Sequence, residues 1–127
     1  MQEMHLFEYA VIRVVPRVER EEFINAGVVL YCASQKFLRA IVSLDEKRLT
    51  CFSDAVDMDE VRQHLNSFEQ ISMGTTDAGP IGKLDMASRF RWLTATRSTV
   101  VQSSRVHPGL SGDLAATLLR LHQCLVL

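Results

Sequence analysis

Apolar and polar positions change their period along this chain. Residues 6–15 (Leu-Phe-Glu-Tyr-Ala-Val-Ile-Arg-Val-Val) are rich in β-branched and aromatic types and stop at Pro16, which cannot donate to a ladder. They predict a first strand. A period of two puts Phe7, Tyr9, Val11, Arg13 and Val15 on one face and Leu6, Ala10, Ile12 and Val14 on the other. Both faces are largely apolar, so the strand is expected to be central. Residues 24–32 and 36–43 predict strands two and three, with Ala33-Ser34-Gln35 between them at hairpin length. Gly27 falls early in strand two, where a glycine predicts a bulge or the close approach of another backbone.

The period then lengthens. Asp57 reads as an N-cap with Glu60 in capping-box spacing, and Met58, Val61, Leu65, Phe68 and Ile71 or Ser72 form one helical stripe. Gly74 to Gly82 holds three glycines and a proline and reads as a flexible loop. A second helix is predicted over 84–94, with Leu84, Ala87, Phe90 and Leu93 or Thr94 inward, then a fourth strand over 96–102. Pro108-Gly109 reads as a turn. A last helix starts at Ser111 or Asp113 and carries the stripe Leu114, Leu118, Leu121 and Leu125. The order β-β-β-α-α-β-α predicts one α+β domain over residues 1–127: a mostly antiparallel four-stranded sheet with helices on one face.

Composition adds bounds. At 127 residues the chain can bury a core without staples, and its formal charge of −1 argues against a dedicated nucleic-acid binder. Cys32, Cys51 and Cys124 form no CxxC pair; Cys32 and Cys124 stand in apolar company, as buried free thiols of a reducing compartment do. No signal peptide is visible, and no apolar run approaches the ~20 residues of a membrane span. A soluble cytoplasmic protein is expected.

No Walker loop, GxSxG, HExxH or EF-hand loop is present. His5, His64, His107 and His122 lack ligand spacing, so neither a metal nor another cofactor is expected, and His64 and His122 read as surface or boundary residues of helices. Arg13 shares a strand face with Val11 and Val15 and needs a partner; an ion pair with Glu22 or Glu8 is the plain reading and an anion clamp the functional one. Glu22 and Asn25 border strand two, as a loop cap or as a general base with an orienting donor. Lys83, Arg89, Arg91, Arg97 and Arg105, with Phe90 and Trp92 interleaved, form the one basic stretch that could meet a nucleic acid, although Phe90 is better explained as core.

The pattern Tyr9-x-Val11-x-Arg13-x-x-Pro16, then Glu22-Phe23-x-Asn25-x-Gly27-Val28-x-Leu30, resembles a bacterial family of small uncharacterised proteins, a domain of unknown function. Arg89-Phe90-Arg91-Trp92-Leu93, Arg97-Ser98 and Val106-His107-x-Gly109-Leu110 resemble its downstream blocks. That resemblance singles out Arg13, Glu22, Asn25, Gly27, Arg97, Ser98, His107 and Gly109. Members tend to be encoded beside a kinase-like protein of the toxin type, which implies a kinase-like partner.

Two functions follow as expectations. One is a small binding or regulatory module that docks on a partner protein, with Arg13, Glu22, Asn25 and Arg97 as an internal polar network. The other is an enzyme on a phosphorylated or other anionic small molecule, with Arg13 and Arg97 holding the anion and Glu22 or His107 moving a proton; Arg13, Asn25, Arg97, Ser98 and His107 are the candidate binding residues. Gly27 and Gly109 are assigned structural roles. Homo-oligomers remain open, for instance through the edge of strand two.

Overall fold

The structure, a computed structural model, describes residues 3–16, 22–52, 57–95 and 99–127. Its elements are β1 (His5–Val14), β2 (Ile24–Cys32), β3 (Phe37–Val42), α1 (Glu46–Phe52), α2 (Met58–Met73), α3 (Met86–Leu93), β4 (Val101–Ser103), β5 (His107–Ser111) and α4 (Leu114–Leu125). Two 3₁₀ turns, Thr76–Ala78 and Pro80–Lys83, stand where a flexible loop was expected. α1 was not anticipated. Leu49 is its buried residue among the described side chains, and Asp45 caps it by accepting from the Arg48 N–H at 3.0 Å.

The sheet is antiparallel in the order β3-β2-β1-β4, and β5 also pairs with β1, further along the side that β4 occupies. The outer side of β1 is thus lined by two short strands, giving five strands where four were expected. Hydrogen-bond direction explains why Pro108 and Gly109 form strand rather than turn. The Ser104 N–H donates to the Val11 carbonyl at 2.8 Å, and the Val15 N–H donates to the Val100 carbonyl at 2.6 Å. Odd residues of β1 therefore bond toward β4 and β5, and even ones toward β2. Phe7 lies opposite Gly109 and Glu8 opposite Pro108. The missing N–H of Pro108 faces the open edge, where it costs no ladder bond.

The register of β1 on β2 runs from Glu8 opposite Tyr31 to Ile12 opposite Gly27, then jumps to Arg13 opposite Asn25, with Ala26 as the extra residue of a bulge. At Gly27 a Cβ would stand 2.7 Å from the Ile41 carbonyl oxygen, so the backbones of β2 and β3 approach too closely there for a side chain. β2 is paired on both sides. The edge of strand two, one open route to a homo-oligomer, is taken by its neighbours β1 and β3.

The α+β class holds, but the helices divide between the two faces. Ala10, Ile12, Val14, Ala26 and Val29 join Leu49 of α1, Val61, Leu65, Phe68 and Ile71 of α2, and Phe90 and Leu93 of α3 in one core. Phe7, Val28, Leu30 and Cys32, from the opposite face, join Leu114 and Leu118 of α4 in another. One-sided cover could not serve strands that are apolar on both faces, and at ~25 cal/mol per Å² the second face gains from burial as the first does. Asp57 caps α2, accepting from the N–H groups of Asp59 and Glu60, and Asp113 caps α4, accepting from Ala116. Cys124 is exposed rather than buried, because the buried side of α4 carries Leu114, Thr117, Leu118 and His122.

Candidate functional site

At the bulged end of the sheet a polar row crosses the face that α4 covers. Arg13 stands opposite Asn25. Ser43, just beyond β3, joins the row through its N–H, which donates to the Ala26 carbonyl at 2.7 Å. The last turn of α4 closes over the row. Asn25 Nδ2 donates to the Leu125 carbonyl at 2.9 Å, and Ser43 Oγ lies 2.9 Å from His122 Nε2. The Asn25 carboxamide thus meets one of the α4 carbonyls that the helix cannot satisfy internally.

His122 is 5% exposed, buried rather than the surface or boundary residue its helix suggested. Desolvation holds its imidazole below the ordinary histidine range, so it is neutral at pH 7. Three buried polar atoms in this region find no hydrogen-bond partner among the described residues: Arg13 Nε, Asn25 Oδ1 and His122 Nδ1. The guanidinium of Arg13 instead lies over the Phe23 ring, 4.2 Å from its centroid. The ion pair expected with Glu22 or Glu8 is absent among the described residues. Glu8, an even residue of β1, faces the other side of the sheet, and Glu22 is exposed ahead of β2.

Among the described residues the remaining candidates do not gather here. His107 lies opposite Tyr9, exposed, with its ring 5.3 Å from the tyrosine ring. It shares the face of Arg13, but four residues of β1 separate the two sites, roughly 13 Å at strand rise. One small substrate would not span Arg13 and His107 within hydrogen-bond reach. Gly109 packs on Phe7, where a Cβ would stand 2.4 Å from the ring. Arg97 and Ser98 lie outside the described residues. Among the described residues no group of three His, Cys, Asp or Glu could hold a metal ion.

The basic stretch 83–105 is divided by the fold. Arg89 is 8% exposed and serves α2, donating from Nη1 to the carbonyls of Ile71 and Ser72, each at 3.0 Å. Phe90 stacks on Tyr31 with centroids 5.2 Å apart, inside the core. Lys83, Arg91 and Arg105 remain exposed, on three different segments. A continuous stacking platform with flanking cations, as single-stranded nucleic acid requires, is not formed by these residues.

Sequence reasoning missed His122 and Ser43. His122 carried a usable signal. It stands four residues after Leu118 and eight after Leu114, on the same stripe. Ser43 had none, because its part depends on the position of α4.

No curated protein and no solved structure shows significant similarity to the chain. A family model described as protein of unknown function (DUF3037) matches residues 9–126. That span takes in all the described strands and helices but the first residues of β1, together with the whole polar row, and the chain belongs to this family.

Proposed function

We propose that this protein is a small binding module that docks on a partner protein through the open end of its sheet. The observation that carries this reading is a sharp step in burial along β1. Ala10, Ile12 and Val14 are each 0% exposed beneath the helices, whereas Leu6, on the same face, is 64% exposed. Its cross-strand neighbour Leu110 is 63% exposed and Met4 is 54% exposed. Contiguous exposed apolar side chains on a rigid sheet mark interaction surfaces more often than ornament. The polar row beneath α4 then acts as the internal network that fixes the bulged end. The family resemblance makes a kinase-like protein the first partner to try.

The test is a tagged capture from host lysate, read by mass spectrometry, comparing wild type with the double variant Leu6→Ser, Leu110→Ser. A stoichiometric partner that the folded double variant loses supports the module. A partner held equally by both, or none, removes this surface from the proposal.

A second reading has its own observation, the polar atoms of Arg13, Asn25 and His122 that find no partner among the described residues. They would suit a small anion that also carries a donor, as an enzyme on phosphorylated metabolites requires. A rise in melting temperature with phosphate in wild type but not in Arg13→Gln would favour it.

A further inference from the structure

The two edges of the sheet are built differently. On the β1 side the edge is broken into β4, of three residues, and β5, of five. β5 turns outward the N–H-less Pro108. Short strands and an edge proline are common devices against unwanted pairing. β3 carries none of them. Its six residues, Phe-Leu-Arg-Ala-Ile-Val, contain neither proline nor glycine, and a single charge, Arg39.

The direction of its free groups follows from the ladder. The Ser43 N–H points at β2, donating to Ala26. Alternation along an antiparallel strand then sends the N–H and C=O of Ile41, Arg39 and Phe37 toward β2 and those of Leu38, Ala40 and Val42 outward. The same alternation carried across β2 and β1 agrees with the bonds from Ser104 to Val11 and from Val15 to Val100. Among the described residues no partner meets the outward groups of β3.

We propose that β3 pairs with β3 of a second copy of this chain, antiparallel about a two-fold axis at Ala40, to make one continuous sheet through both subunits. A two-fold perpendicular to the sheet keeps each face on its own side, so residues of equal parity come opposite one another. Centring on Ala40 sets Ala40 against Ala40 and Leu38 against Val42. All three outward residues of each strand then fall in hydrogen-bonded pairs, and all their donors and acceptors are used. The residue at the axis has the smallest side chain of the strand. Leu38 meets Val42 in an apolar cross-strand pair. Arg39 comes opposite Ile41, which separates the two like charges; centring on Arg39 would set them face to face. The strip is its own complement, which an isologous interface demands.

One strand pair buries less than the ~1,200 Å² typical of stable interfaces, so the dimer is a reversible one. Sedimentation analysis of the purified chain from about 1 to 500 µM should show a species at twice the 14.3 kDa chain mass. Ala40→Pro removes an outward N–H and leaves the β2 ladder intact, so it should be monomeric throughout with unchanged far-UV circular dichroism. Should that variant misfold, cysteine pairing decides. In a Cys51→Ser, Cys124→Ser background, Ala40→Cys should oxidise to a covalent dimer. Arg39→Cys should not, because its two Cα atoms stand beyond the ~7 Å reach of a disulfide. Monomer at every concentration, a dimer that folded Ala40→Pro retains, or equal cross-linking at both positions would each overturn the proposal.

Discussion

Replacing Arg89 with methionine removes a buried cation while keeping most of its volume. The guanidinium donates from Nε to the Leu84 carbonyl and from Nη1 to the carbonyls of Ile71 and Ser72, all at 3.0 Å. Those last two belong to the final turn of α2, where helical carbonyls lack intrahelical donors and the helix end carries partial negative charge. Gly74, at φ 69°, satisfies Gln70 and Ile71 with its own N–H; Ser72 depends on Arg89. Hydrogen bonds from a charged donor contribute about 1.5–3 kcal/mol each. Loss of three would reach roughly 5–9 kcal/mol, but the variant no longer desolvates a cation, and breaking a buried charged contact usually costs about 3–5 kcal/mol. A loss of about 3 kcal/mol is expected, a large share of the ~5–15 kcal/mol that holds a domain together. At this chain length the melting temperature should fall by about 10 °C. Urea unfolding followed by circular dichroism measures this directly, with the slope showing whether the transition stays two-state. Arg89→Lys should recover only part of the loss, since one ammonium cannot copy the planar fork. Gly74→Ala offers an independent probe, because its Cβ would stand 2.6 Å from Arg89 Nη1, and the double variant should lose less than the sum of the two. If Arg89→Met stays within about 1 kcal/mol of wild type, the carbonyls are being rehydrated and the capping argument fails.

Gly109→Ala places a methyl group 2.4 Å from the ring of the buried Phe7 and should destabilise by about 1–3 kcal/mol through overpacking; an unchanged urea midpoint would show that the ring yields freely. His122 gives a pH dependence. Its folded value lies below the unfolded one near 6.5 because burial disfavours the cation, so above that pH neither state binds the proton and stability is unaffected. As pH falls below it, the unfolded chain binds a proton that the fold refuses, and stability declines until the folded value is passed. Urea midpoints at pH 7.5 and 5.5 should differ less in His122→Gln than in wild type, and equal differences would refute the assignment.

The strands β1 to β3, both long helices and the Asp57 cap were legible because local pattern determines them: alternation, helical stripe and cap chemistry. β5 was hidden because Pro108 and Gly109 carry turn chemistry, and only the side of β1 on which they lie makes a strand of them. The division of helices between two faces was present in outline, since β1 and β2 are apolar on both sides, but no local signal says which helix goes where. Arg13 and Asn25 could be picked as polar residues at strand ends. Their true surroundings, Phe23, Ser43 and the last turn of α4, come from contacts of up to 100 residues in sequence separation. Arg89 looked like part of a basic patch because charge is visible in sequence and burial against a helix end is not.

The placement of α4 bears on how the chain folds in time. The meander β1 to β3 closes through short connections and can form early, and α2 can cover one of its faces once residue 73 has been made. The other face, with Phe7, Val28 and Leu30 at 5%, 0% and 0% exposure in the finished fold, waits for a helix that ends at residue 125. At ~5–20 residues per second of synthesis that interval is about 3–10 s, far longer than the microseconds in which hydrophobic surfaces collapse. For those seconds the growing chain presents a bare apolar sheet, and a chaperone that shields extended hydrophobic surface would find its substrate there.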